Sequence, residues 1–197
     1  MEQKPEARMP GKEPDLLEAA GCLKSARRVL VMGCSGGGKT TMSLQLCKLL
    51  DLPFVSMDRE FFWLPGWVKR TKVEERALIS AKIAEERWLM DGTGPSTFDL
   101  RVRRAEAVIW IRMPRMFCLY GAIRRVAKWY GRERLEMAPG CPERLDWEFL
   151  HYIWNFERIF APKVAAGLAE HGSDVPVFQL KTRAQMRRLL DLLGAPA

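Results

Sequence analysis

Eight consecutive residues, Gly33-Cys34-Ser35-Gly36-Gly37-Gly38-Lys39-Thr40, follow the spacing G-x-x-x-x-G-K-[ST]. Glycines admit positive φ, so successive main-chain N–H groups can turn inward on one anion. A helix N-terminus behind them adds a fixed partial positive charge. In this pattern Gly33, Ser35, Gly36, Gly37, Gly38 and Thr41 help form the cradle. Lys39 reaches the β- and γ-phosphates of a nucleoside triphosphate such as ATP, and the Thr40 hydroxyl ligates Mg²⁺. The competing reading is a glycine-rich turn without a ligand. The flanks argue against it: Arg28–Met32 reads as a buried strand, and Met42, Leu44, Leu46, Leu49 and Leu50 recur at roughly helical spacing.

Two carboxylates stand where such a loop needs them. Asp58 follows the short apolar run Phe54–Met57, and Asp91 follows Trp88-Leu89-Met90. In open α/β sheets the carboxyl ends of the strands are where ligands bind. Asp91 is thus a Mg²⁺ partner, or else an ordinary Asp-Gly turn residue. Asp58 would hold Mg²⁺ through water or orient a phosphoryl acceptor, or else cap a turn. The aromatics Phe61, Phe62, Trp63 and Trp67 surround the break Leu64-Pro65-Gly66. Trp63 would stack on a substrate, or the group would form a satellite core. Arg101 and Arg104 would hold an acceptor phosphate, or lie on a solvated basic face.

The densest basic stretch is Arg124, Arg125, Lys128, Arg132 and Arg134, followed by Pro139-Gly140-Cys141-Pro142. It reads as a lid over about 121–145 that brings guanidinium groups onto phosphates. Arg132 would neutralise charge on the transferred group.

The elements that position these residues alternate. After a strand at Arg28–Met32 come strands at 54–57, 88–90, 107–111 and 175–180, with helices between. Such alternation implies a parallel sheet with right-handed crossovers. Lys181-Thr182-Arg183 then closes the sheet end, where Arg183 joins the expected nucleotide contacts, and 184–193 forms the last helix. The expected fold is α/β, a three-layer P-loop NTPase with a five-stranded parallel sheet and a helical lid. Residues 1–25 read as an N-terminal extension, disordered to about residue 14 with a short helix after it. Residues 26–197 read as the kinase-like domain.

The 197 residues include 32 Lys and Arg against 24 Asp and Glu, a net charge of +8. Such a balance suits polyanionic nucleotides or a nucleic-acid surface. Its concentration in the lid favours nucleotides, and no helix-turn-helix or zinc-finger signature supports nucleic acid. No run nears the roughly 20 apolar residues that span a bilayer, and no signal peptide is evident, so a cytoplasmic address is expected. The five cysteines are scattered, which reads as reduced thiols. Cys34, in the phosphate loop, would be a redox-sensitive thiolate or an inert side chain. The oligomeric state stays open.

The chain also resembles the bacterial proteins described as DNA topology modulation proteins, which belong with adenylate kinase and related nucleoside monophosphate kinases. Carrying the resemblance are Gly33 to Thr40, Met57-Asp58 with Trp63 to Trp67, and Trp88 to Gly92. So do Val108 to Ile111 with Pro114-Arg115, and the run from Gly140-Cys141-Pro142-Glu143 to Trp154-Asn155-Phe156. It implies ATP and Mg²⁺ as cofactors and a small phosphoryl acceptor, expected to be a nucleotide. It places Lys39 and Arg125 on the ATP phosphates and Asp91 in the Mg²⁺ shell. Adenylate kinase follows its Asp-Gly with Phe-Pro-Arg, whose arginine grips the acceptor phosphate. Here Thr93-Gly94-Pro95 stands instead, and Gly121 replaces an arginine that relatives carry at the start of the lid. The alternatives are an ATP-binding modulator of DNA topology or a nucleotide sensor without turnover.

Overall fold

Residues 15–194 are described in the structure, a computed structural model. The expectation for residues 1–14 lies outside the described residues. The chain opens with α1 (Leu16–Ser25), capped by the Asp15 side chain, which accepts from the amides of Leu17 and Glu18. Next come β1 (Arg28–Gly33), α2 (Lys39–Leu50) and β2 (Phe54–Ser56). A single π-helical turn, Asp58–Phe62, leads into a small hairpin of β3 (Trp63–Leu64) and β4 (Val68–Lys69). α3 (Lys72–Ile83) follows. Thr71 and Glu74 form a reciprocal capping box there, fixing the start.

β5 (Trp88–Asp91) is followed by α4 (Phe98–Arg104), β6 (Ala107–Ile111) and α5 (Arg115–Trp129). Pro114 stands at the N-cap position of α5. After an irregular segment, α6 (Trp147–Asn155) passes through a π-helical turn, Phe156–Phe160, into α7 (Ala161–His171). β7 (Val177–Leu180) and α8 (Arg183–Gly194) complete the described chain.

The five long strands are all parallel, in the order β2-β5-β1-β6-β7. Every residue of β5 and β6 is buried, as strands covered by helices on both faces require. β1 sends its crossover to the β2 edge, and β5 sends its own to β6. Right-handed crossovers in opposite directions put α2 and α4 on opposite faces. α1 and α2 both pack against α8, while α4 packs against α3 and α7, giving three layers. Ala19, Ala20 and Leu23 of α1 lie in the main core. The register pairs Val31 with Asp91 and Gly33 with Ile111, so the loop after β1 and the turn after β5 emerge side by side. Among the described residues no helix is long and apolar enough to cross a membrane.

Candidate active site

The loop between β1 and α2 is held open by backbone geometry. Gly38 adopts φ +94° as the residue before α2, and no side chain caps that helix. The first amides of α2 are therefore left for an anion, as the glycine pattern implied. Lys39 folds back over the loop and its ammonium donates to the Cys34 carbonyl at 3.0 Å. Thr41 is exposed on the first turn of α2, and Ser35 is half-buried in the loop.

Thr40 and Asp91 meet. The Thr40 hydroxyl, on the first turn of α2, donates to Asp91 Oδ2 at the end of β5 at 2.6 Å. Asp91 is buried, and its Oδ1 has no hydrogen-bond partner. Burial pushes its carboxyl above the ordinary aspartate range, against the pull of Lys39 and the Thr40 hydrogen bond. A buried carboxylate oxygen with no donor, beside a hydroxyl, is a pair of hard oxygen ligands awaiting a cation. The residues thus fit Mg²⁺, which takes one or two carboxylates and completes its shell with water and phosphate. Among the described residues no cluster of three or more His, Cys, Asp or Glu would hold a metal by itself.

Thr93 is a residue the sequence reading passed over except as a missing arginine. Its hydroxyl accepts from the Gly33 amide at 3.0 Å and donates to the Gly33 carbonyl at 2.9 Å. It ties the root of the phosphate loop to the turn after β5. Nothing in the local pattern signals this contact, which spans sixty residues of chain.

Arg101 does not face an acceptor. Its side chain is fully buried, donating from Nη2 to the carbonyls of Thr93 and Gly94 at 2.6 and 2.7 Å. Nη1 donates to Gly92 at 3.2 Å and Nε to Thr97 at 3.0 Å, and the guanidinium lies 5.3 Å from the Phe98 ring. Burial lowers its pKa to about 10, so it stays charged at neutral pH. The expected phosphate ligand is a brace that shapes the Gly92–Gly94 turn. Arg104 likewise donates to the Ile83 carbonyl at 3.2 Å.

The expected lid divides in two. Its first part is the end of α5. The rest, from Tyr130, is irregular, and its base is drawn together by a Tyr130–Glu143 bridge, with Gly131 donating to the Glu143 carbonyl at 2.9 Å. Buried Glu143 holds two of the arginines. Its Oε1 lies 3.0 Å from Arg125 Nε and 2.7 Å from Arg134 Nε. Arg125 also lies 5.4 Å from the Phe149 ring, and burial lowers its pKa despite Glu143. Arg132 is exposed on the same segment. Glu143 was visible only inside the Gly-Cys-Pro-Glu run that carries the resemblance.

The aromatic excursion meets this segment. Trp63 and Trp67 pack edge to face at 5.3 Å and, with Met137, Ala138 and Cys141, build a small separate core. The Trp67 indole donates to the Pro142 carbonyl at 3.1 Å, Ser56 Oγ to that of Glu136 at 2.8 Å, and Arg59 to that of Leu135. Trp63 therefore serves the satellite core, and its indole N–H donates to Asp58 at 3.3 Å. Asp58 is exposed, yet its charge is felt at Asp91, Arg125 and Tyr152. Arg134 also acts on Asp91. The donor-side and lid-side groups thus share one electrostatic neighbourhood.

Cys34 is not a loop thiolate. It is buried, and a hydrogen bond with Cys118 and then desolvation push its pKa up. Arg183 is exposed at the start of α8, one turn before Met186. A Cβ at Gly38 would lie 3.5 Å from Met186 Cε, which sets this end of α8 against the loop.

No family profile matches the chain, and no curated protein sequence does. Solved structures do. A shikimate kinase from Bacteroides thetaiotaomicron aligns with a TM-score of 0.51 at 16% identity, over 86% of this chain and 96% of that one. A shikimate kinase from Acinetobacter baumannii, in complex with shikimate, aligns with a TM-score of 0.56 at 13% identity, over 88% and 94%. With the parallel sheet and the loop after β1, this is an α/β P-loop kinase fold.

Proposed function

We propose that the chain is an ATP-dependent phosphotransferase that moves the γ-phosphoryl group to a hydroxyl of a small acceptor lacking a phosphate of its own. The observation that carries this reading is the Thr40–Asp91 pair beside an uncapped, glycine-built loop. The free amides at the start of α2 bind the phosphate chain. Lys39 exchanges its Cys34 carbonyl partner for phosphate oxygens. Thr40 and Asp91 hold Mg²⁺, which when bound neutralises charge on the phosphates. Asp58 orients the acceptor hydroxyl and takes its proton as the oxygen attacks the γ-phosphorus. The bond to the bridging oxygen breaks and ADP leaves. Catalysis then rests on positioning and charge neutralisation, with Lys39, Arg132 and Arg183 as the phosphate-facing cations.

The nucleotide acceptor implied by the resemblance to adenylate kinase has less support. A phosphorylated acceptor calls for a free guanidinium beside the β5 turn. Arg101 is engaged by three carbonyls, and Arg125 and Arg134 share Glu143. The likeness to two shikimate kinases agrees with a small hydroxyl acceptor. The test is ADP release from Mg-ATP with a panel of sugars, polyols and amino alcohols beside nucleoside monophosphates, with Lys39→Ala as the blank. Release with an unphosphorylated hydroxyl compound supports the reading. Release only with a nucleoside monophosphate restores the nucleotide acceptor, and none above hydrolysis leaves a nucleotide-binding protein without turnover.

A further inference from the structure

The outward faces of α5 and α6 carry an apolar surface that neither the core nor the phosphate site uses. On α5, Met116, Tyr120 and Ile123 recur at helical spacing on the side away from buried Cys118, Ala122 and Val126, with Phe117 beside them. On α6, Trp147 and Trp154 lie two turns apart on one face. These six side chains are between 48 and 76% exposed. The two helices pack on each other, and the Arg115 guanidinium lies 4.8 Å from the Trp154 ring, joining the two faces.

At roughly 150–250 Å² per aromatic side chain, the exposed parts of the four aromatic rings come to roughly 350–600 Å², to which Met116 and Ile123 add. That stands at the upper end of the largest apolar patch of an ordinary monomer, about 300–600 Å². It would form the apolar centre of the roughly 800 Å² that each partner contributes to a stable protein interface.

Charges of both signs stand beside the patch, the cations on α5 and the carboxylates at the start of α6. α5 carries Arg115, Arg124 and Lys128 and no carboxylate anywhere along its length, whereas α6 is capped by Asp146, which pairs with Arg144, and carries Glu148 next to Trp147. We infer that this face is the interface of a two-fold dimer, in which α5 of one copy lies against α6 of the other. In an isologous contact each pairing occurs twice. Arg124 and Lys128 then meet Glu148 on both sides of the axis, and the tryptophans leave water. The inference stands apart from the phosphotransfer reading.

Sedimentation velocity over a dilution series of the full chain tests it. The mass of two chains is expected at high micromolar concentration, falling to one chain on dilution. Ile123→Glu combined with Trp154→Glu should weaken association by about 100-fold, with an unchanged circular-dichroism spectrum. Val73→Glu, at an exposed apolar position on α3, should leave the dimer intact. The mass of one chain at every concentration overturns the inference, as does a double variant that associates like the parent. A monomer that co-sediments with phosphatidylserine vesicles overturns it in favour of a membrane surface.

Discussion

Gly121 of α5 faces Gly36 of the phosphate loop so closely that a Cβ on Gly121 would lie 2.2 Å from the Gly36 carbonyl oxygen. The contact is mutual: a Cβ on Gly36 would lie 2.0 Å from the Cys118 carbonyl, at a φ of +77°. The loop is seated directly on the helix backbone. An arginine at position 121, which the resemblance would supply, has no room in this packing.

Substituting Gly121→Ala should therefore push the loop off the helix. Overpacking costs about 1–3 kcal/mol, so ATP affinity should fall by about 5- to 150-fold as the cradle distorts. Gly21→Ala in α1, where a Cβ meets nothing within 4 Å, should leave binding unchanged and raise thermal stability slightly. Fluorescent-nucleotide titration and a melting curve read both.

Asp91→Asn separates the metal role from the fold. It keeps an acceptor for the Thr40 hydroxyl and removes a buried charge whose Oδ1 has no partner. The nucleotide-free protein should melt at the same temperature or higher. Mg²⁺ with ATP should raise the melting point of the parent, EDTA should cancel most of that shift, and the variant should show neither effect.

Arg101→Lys and Arg101→Met should both lose stability. A lysine cannot reproduce the planar fork to Gly92, Thr93 and Gly94, and methionine orphans the same carbonyls. A loss of about 2–4 kcal/mol in chemical denaturation is expected for each. Unchanged stability with a raised KM for the acceptor would instead return Arg101 to the substrate.

Glu143→Gln leaves Arg125 and Arg134 without their shared carboxylate. Losing one partner of a buried ion pair costs about 3 kcal/mol. The effect should be local: amide exchange should rise in residues 130–143 and in the Trp63–Lys69 hairpin, and much less in β1 and β6.

The sheet and the phosphate loop were legible because their signals are local. Glycines, Lys-Thr and an apolar run stand within a dozen residues, and each strand of the centre is a continuous apolar stretch. The place of Asp91 at the end of such a strand was legible too, but its meeting with Thr40 was not. Arg101 was misread because a guanidinium that braces backbone and one that grips phosphate look alike in sequence. Only the carbonyls of Gly92, Thr93 and Gly94, which turn toward it, tell them apart. Thr93 and Glu143 were missed for a related reason, since each acts on partners supplied by other segments. The aromatic excursion admitted two readings, and the Met137–Cys141 segment that completes its small core lies too far along the chain to be inferred from spacing.

The most direct measurement is calorimetric titration of the full chain with ATP in the presence of Mg²⁺, beside Lys39→Ala. The account predicts saturable binding with one nucleotide per chain, weakened by at least about 10-fold in the variant, since each charge-assisted contact contributes about 1.5–3 kcal/mol. Absence of binding heat with ATP at millimolar concentration, or equal affinity in Lys39→Ala, would contradict it.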